Sequence, residues 1–387
     1  MKRSFYAGAT AFLFVAVASH LRWTPYNNYV LLADAMAHGH LAINWPGDYI
    51  DALLYRGQYY VIEAPLPAIL LFPLVKLLGT NANQTPLAVL LAGVAIGAAW
   101  ELCERLEVPW RTNCWLCAFL LAGTDLLWCA MLGDVWFLAH VSAVCFTLLA
   151  LVELVGKRRA YLVALFGICA CESRFSMILA LPVYAYLLGT SGERENDSPA
   201  QLRRRLFDFG LTLVPAAVLW VAYNEARWGT FADIGYTEWY HRDPAGMPSG
   251  SPFRIEYLPY QLQSFFLQPP TWLRSYPWVQ PEITGMALTW TSPALVLAFL
   301  ARQPRRFVLA MWSATLLVAV PSFLYYVNGF TQFGMRHALD FEPFMFALTA
   351  VGVRNGLPSW GKILIAYSCV VGLWGTWFWN TFLRTEW

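Results

Sequence analysis

Twelve apolar segments recur along this chain, at residues 5–21, 65–79, 86–103, 113–131, 135–155, 160–171, 175–188, 207–225, 286–301, 307–323, 340–353 and 363–380. A helix needs about 20 such residues to cross the hydrocarbon core of a bilayer. The series predicts an all-α polytopic membrane protein. Composition agrees: 13% of the residues are charged, against about 25% in soluble domains, and the mean hydropathy is +0.46. The 19 Trp suit a molecule with much surface at the lipid–water boundary, where Trp and Tyr collect.

Several segments are shorter than a perpendicular span. Two of them, 160–171 and 175–188, meet at a polar knot, Cys171-Glu172-Ser173-Arg174-Phe175-Ser176. Irregular backbone at membrane depth is tolerated where it lines a protein-walled cavity, so this knot predicts short helices meeting at one. Basic clusters at Lys2–Arg3, Lys157–Arg159, Arg203–Arg205 and Arg302 with Arg305–Arg306 should face the cytoplasm. From residue 157 onward the alternation satisfies this. Between Lys2 and Lys157 there are five apolar segments, so one of them does not cross. The segment 65–79 is about 15 residues long and carries Pro65, Pro67, Pro73 and Lys76; it reads as a helix lying in the outer interface.

The resulting expectation is about 11 transmembrane helices, with the N-terminus cytoplasmic and the C-terminus outside. Two large extracytoplasmic loops, 22–85 and 226–285, carry interfacial helices. A small outer loop spans 324–339 and a cytoplasmic linker spans 189–206. The N-terminal segment has the look of a signal peptide but reads as a retained anchor. The eight cysteines lie in or beside apolar segments; the isolated pair Cys114 and Cys117 reads as small apolar packing, not as a metal site or a disulfide framework. The sequons at Asn83 and Asn196 carry no weight, and no internal repeat of the kind that builds many transporters is detectable.

Ionisable residues beside a membrane are costly and default to function. The first outer loop holds Asp34, Asp48, Asp51 and Glu63. Residues 27–38 read as a helix on which Asn27, Asp34 and His38 fall within about 40° of one another. That stripe is either the wet face of an interfacial helix or a face toward a reaction cavity, where Asp34 serves as a general base. Asp51, five residues before Arg56, is a second candidate base or a local ion pair. Glu63 stands at membrane level beside Pro65. Asp134 and His140 follow in LGDVWFLAH, Glu172 and Arg174 in the polar knot, and Arg336, His337, Asp340 and Glu342 in MRHALDFEPF. Acids and arginines from four segments thus converge on one membrane face. Guanidinium groups match phosphate oxygens, and carboxylates suit sugar hydroxyls and proton abstraction.

In order along the chain, YYVIEAPLPAILLFPLVKLLG, GDVWFLAH, the SRFS break, YNEARWGTFADIGY and QFGMRHALDFEPF resemble the GT-C superfamily of membrane glycosyltransferases, nearest to protein mannosyltransferases and the lipid A aminoarabinose transferase. The resemblance implies a polyprenyl-phosphate-linked sugar donor, a glycan, lipid or protein acceptor, and a bacterial inner membrane with the active site outside. It implies no nucleic acid and no cofactor, and leaves a divalent metal open. Relatives carry an acidic residue just after the first span; this chain has Asn27 and Asn28 there. A basic residue that contacts donor phosphate in relatives is replaced by Ala64. The resemblance therefore shifts the base to Asp34, with Asp51 second, and phosphate binding to Arg174, Arg336 or Arg56. Glu63, Asp134, Glu172 and His337 complete the expected substrate site. A lipid-linked-sugar flippase or transporter, and a non-catalytic lipid-binding subunit, are the rival readings. A transporter needs polar residues at mid-membrane; here they sit mostly at one end.

Overall fold

The computed structural model describes residues 2–44, 47, 51–191, 197–243 and 245–383. Asp48 and Asn196 lie outside the described residues. The architecture is helical, with three two-stranded sheets among the described residues. The first helix, α1 (Lys2–Ser19), is followed by α2 (Asn28–Ala37), a hairpin β1 (Ala52–Tyr55) and β2 (Gln58–Val61), α3 (Leu66–Leu78) and α4 (Thr85–Arg105). Next come α5 (Trp110–Ala122), α6 (Leu126–Leu132), α7 (Val135–Val155), α8 (Ala160–Cys171), α9 (Leu181–Leu188) and α10 (Pro199–Trp228). The segment after α10 folds into α11 (Gly235–Arg242), α12 (Leu258–Phe266) and strands β3 (Thr271–Trp272), β4 (Val279–Gln280) and β5 (Thr284–Met286). A short α13 (Leu288–Thr291), α14 (Arg305–Leu324), β6 (Gln332–Gly334), α15 (Glu342–Gly352) and α16 (Ser359–Phe378) complete the chain.

The apolar segments become helices, but not eleven long ones. Among the described residues, five helices are long and apolar enough to cross a membrane, or six if the α5–α6 pair counts as one span. The span count of about 11 is therefore not carried by helix length. The reason is visible in α8, α9 and α15, of 12, 8 and 11 residues; at 1.5 Å per residue each covers only about 12–18 Å. The segment 65–79 forms the 13-residue α3, again short of a bilayer. The segment 113–131 is bent by 50° between α5 and α6, where Thr124 donates its hydroxyl back to Leu120 at 2.6 Å. The segment 286–301 holds α13 and a 3-10 helix, Pro293–Leu300, rather than a continuous α-helix.

Helix α10 begins earlier than the 207–225 segment implies. Ser198 caps it, accepting from the Gln201 N–H at 3.3 Å while Gln201 accepts from the Ser198 N–H at 2.7 Å. This reciprocal box satisfies two orphan donors of the first turn. The expected linker 189–206 therefore ends in helix, with Arg203–Arg205 on its first turns.

Packing in the lipid region rests on small residues, as expected where burial from water no longer drives helices together. A Cβ on Gly93 of α4 would meet the Phe12 Cβ of α1 at 2.8 Å, and a Cβ on Gly8 would meet the Gly93 carbonyl at 2.8 Å. Helix α7 is apolar all round and almost wholly buried, the pattern of a central helix. The β1–β2 hairpin turns through Arg56 and Gly57, both at positive φ (48° and 80°), the two-residue turn whose twist suits the strands. Parallel pairing of β5 with β6, Thr284 opposite Gln332 and Met286 opposite Gly334, ties the segment before α13 to the segment after α14. None of the eight cysteines is in a disulfide.

Candidate functional site

One cavity of about 1270 Å³ opens where these elements meet. It collects side chains from the segments 22–85 and 226–285, from the N-terminal end of α7, from the α8–α9 break and from the turn before α15. Its lining is of two kinds. Part is apolar, including Phe175, Ile178, Trp220 and Val320; the Phe175 and Trp220 rings stack at 5.6 Å. The rest includes the ionisable groups.

Asp51 enters from the stretch before β1. The Trp136 indole of α7 donates to its Oδ2 at 3.2 Å, and the Asn28 side chain of α2 donates to its backbone carbonyl at 2.8 Å. Burial pushes its carboxyl up to about 6; the Trp136 bond opposes the rise, Asp243 adds to it, and Arg336 opposes it. Glu63, between β2 and α3, is 5% exposed, and its Oε2 has no hydrogen-bond partner among the described residues. Burial, then the nearby Asp51 charge, pushes it up to about 8 against the pull of Arg174 and Arg227. Glu172, at the end of α8, is pushed up to about 7, mainly by burial. Its backbone carbonyl accepts from the Leu66 N–H at 2.8 Å, so the start of α3 is pinned to the polar knot. Desolvation raises a carboxyl pKa because it penalises the charged form. The cavity thus holds three carboxyl groups able to exchange protons near neutrality.

Asp134 precedes the first turn of α7 and accepts from the Thr24 hydroxyl. The Val135 N–H donates to the Tyr26 carbonyl at 3.0 Å, which fixes the start of α7 against the loop after α1. Arg174, in the break, grips Asp340: Nε lies 3.2 Å from both carboxylate oxygens and Nη2 3.1 Å from Oδ2. Ser176 also donates to Asp340 Oδ2 at 2.8 Å. Arg336 donates through Nη1 to Gln332 Oε1 at 2.8 Å, and its guanidinium lies 5.4 Å from the Phe137 ring centre. Gln332 in turn donates to the Thr284 carbonyl at 2.7 Å, so the β5–β6 pairing orients the arginine.

Seven of the nine expected site residues line this cavity: Asp51, Glu63, Asp134, Glu172, Arg174, Arg336 and His337. Asp34 and Arg56 do not. Asp34 faces its own helix neighbour His38 at 3.7 Å. Asn28 marks the face of α2 that reaches Asp51, and Asp34, six residues on, is rotated from it by about 120°. Arg56 sits exposed at the hairpin turn against Tyr55, 5.1 Å from its ring centre. The structure adds residues that the sequence reading passed over. Arg227, near the end of α10, donates to the Val61 carbonyl at 3.1 Å and to Asn224 Oδ1 at 2.9 Å, and lies 3.5 Å from Asp233. Asp243 accepts from the Tyr326 hydroxyl at 2.5 Å. Arg227 and Asp233 fall in YNEARWGTFADIGY, whose motif order was the signal available. Among the described residues, no group of three or more His, Cys, Asp or Glu could hold a metal ion.

No protein-family model matches the chain, and no curated protein matches it. Its structure is similar to the crystal structure of ArnT from Cupriavidus metallidurans bound to undecaprenyl phosphate, with a TM-score of 0.56 and 16% sequence identity. The match covers 94% of this chain and 62% of that one, so the chain spans about 62% of that neighbour's length. The likeness concerns the fold, and it extends over nearly the whole chain.

Proposed function

We propose that this chain is a multi-pass membrane glycosyltransferase, of the bacterial inner membrane, that moves a sugar from a polyprenyl phosphate to an acceptor hydroxyl at the outer face, with inversion. The single observation that carries this reading is the chamber itself. Buried carboxyl groups and guanidinium groups line one volume together with the apolar side chains of Phe175, Ile178, Trp220 and Val320. A phosphate on a lipid chain needs both kinds of lining. The neighbour of similar fold was crystallised with undecaprenyl phosphate, which supports a ligand of that class here.

In this reading Asp51 is the base. The acceptor hydroxyl gives its proton to the Asp51 carboxylate, and its oxygen attacks the anomeric carbon. The bond from that carbon to the phosphate oxygen breaks, and its electron pair leaves with the polyprenyl phosphate. Arg174 and Arg336, preorganised by Asp340 and Gln332, stabilise the charge that develops on the departing phosphate. Glu63, protonated at neutral pH, donates to a sugar hydroxyl. Asp134 and Glu172 orient the sugar. The extracytoplasmic assignment of 22–85 and 226–285, in a single domain spanning the chain, belongs to the same proposal.

The test incubates purified protein with a panel of polyprenyl-phosphate sugars and measures release of free polyprenyl phosphate. Wild type should release it with at least one donor. Asp51→Asn should lose about 100-fold or more, the usual worth of a general base. The wild-type rate should rise with pH through about 6, since the base works ionised. Failure of every donor would leave the lipid-linked-sugar transporter as the better reading; equal rates in Asp51→Asn would remove Asp51 from the role.

A further inference from the structure

Two histidines share the inner wall of the cavity, and one ion pair reaches both. His140 Nδ1 lies 2.8 Å from Asp340 Oδ1, and His337 Nδ1 lies 3.1 Å from Arg174 Nη2. Their rings are 5.2 Å apart and nearly perpendicular, at 79°. Asp340 also accepts from Arg174 Nε, Arg174 Nη2 and Ser176 Oγ. A carboxyl group taking that many donors is ionised and can only accept. His140 must therefore carry a proton on Nδ1. Its Nε2 is buried without a partner among the described residues, so a second proton there would be an unpaired buried donor on a charged ring, and Nε2 keeps its lone pair. A guanidinium has donors and no acceptor. His337 Nδ1 must therefore be bare, and its proton sits on Nε2. The charged groups facing the two rings are Arg174, Arg336 and Asp340, and a second proton on His337 would point straight at Arg174.

We propose that the Asp340–Arg174 pair locks His140 and His337 in opposite tautomers, so that the cavity wall offers a neutral N–H donor from His337. His337 Nε2–H is directed at an anionic oxygen of the phosphate. His140 Nε2 is buried and without a partner among the described residues; this ring holds Asp340 and packs edge-on against His337. Asp340 is a positioning residue. The ligand half of this proposal rests on the phosphate-lipid reading above; the tautomers do not.

The experiment removes the other four histidines by substituting His20, His38, His40 and His241, none of which lines the cavity, with Gln. Nitrogen-15 spectra of the remaining two imidazoles in lipid nanodiscs should then contain one Nδ1–H and one Nε2–H tautomer at neutral pH. Two rings in the same tautomer, or either ring as imidazolium, would overturn the lock. Undecaprenyl phosphate should shift the Nε2–H signal, and His337→Asn in the same background should weaken its binding roughly tenfold or more, the worth of a hydrogen bond to a charged group. Unchanged binding in that variant would overturn the donor role. Absence of transferase activity alters neither result, so failure of the enzymatic reading is separately visible.

Discussion

Glu63 illustrates how much a residue's neighbours decide. Its carboxyl stands at about 8 against a usual 4.5 because burial penalises the charge. A group whose pKa is raised on folding favours the fold while it stays protonated. Its contribution is therefore complete below about 4.5 and is lost as pH rises through about 8. Glu63→Gln should unfold at the same temperature as wild type at pH 5 and at a higher one at pH 9, by roughly 2–4 °C per kcal/mol relieved; a thermal-shift series across pH measures it. Asp34 makes the opposite case. Its partner is His38, on the face of α2 turned from Asp51. Asp34→Asn should keep activity within about threefold, the effect of a surface change, in the same donor-release assay that separates Asp51→Asn.

Among the elements, α1 and α4 show what close packing demands. Three glycines, Gly8, Gly93 and Gly97, bring the two backbones into contact. Gly93→Leu has no space to enter, because the obstruction is the Phe12 Cβ and the Gly8 backbone. It should destabilise by about 1–3 kcal/mol, as overpacking does, seen as a lower unfolding temperature in detergent. By contrast Leu211→Ala on α10, a residue 59% exposed, should change unfolding little. Broken elements have a different logic. The α5–α6 bend and the α8–α9 break each free backbone that a continuous helix would satisfy internally. At the second break the Glu172 carbonyl accepts from the Leu66 N–H, and the break places Glu172, Arg174 and Ser176 around one cavity.

For the whole molecule, the orientation read from basic clusters has a direct check. Cysteine introduced at Gln58 in the hairpin should react with a membrane-impermeant maleimide added to intact cells. Cysteine at Arg204 should react only after the membrane is opened. Cys114, the exposed native cysteine, is replaced by Ser in both. The reverse pattern would invert the topology and put the proposed chemistry on the cytoplasmic side.

Much of the architecture follows from hydropathy alone, because a bilayer accepts only segments that satisfy their own backbone. The helices α4, α7, α10, α14 and α16 are all long apolar stretches in the sequence. The polar knot at residues 171–176 announces its break by placing Glu172 and Arg174 between two short apolar runs. The convergence of acids and arginines on one cavity is legible for the same reason, since charges in so apolar a chain have few places to go. What the sequence left open was rotation and depth. Hydrophobic periodicity is weak on α2, which is buried on most sides, so the stripe holding Asp34 gives no sign of facing away from the cavity. Arg227 and Asp243 reach the site only because α10 ends beside the hairpin and α11 folds back under Tyr326. The pairing of Asp340 with Arg174 joins residues 166 positions apart, and no local spacing encodes it. Composition and periodicity determine which segments leave water; only tertiary packing decides which side chains then share a buried volume, and their proton affinities follow from that shared burial.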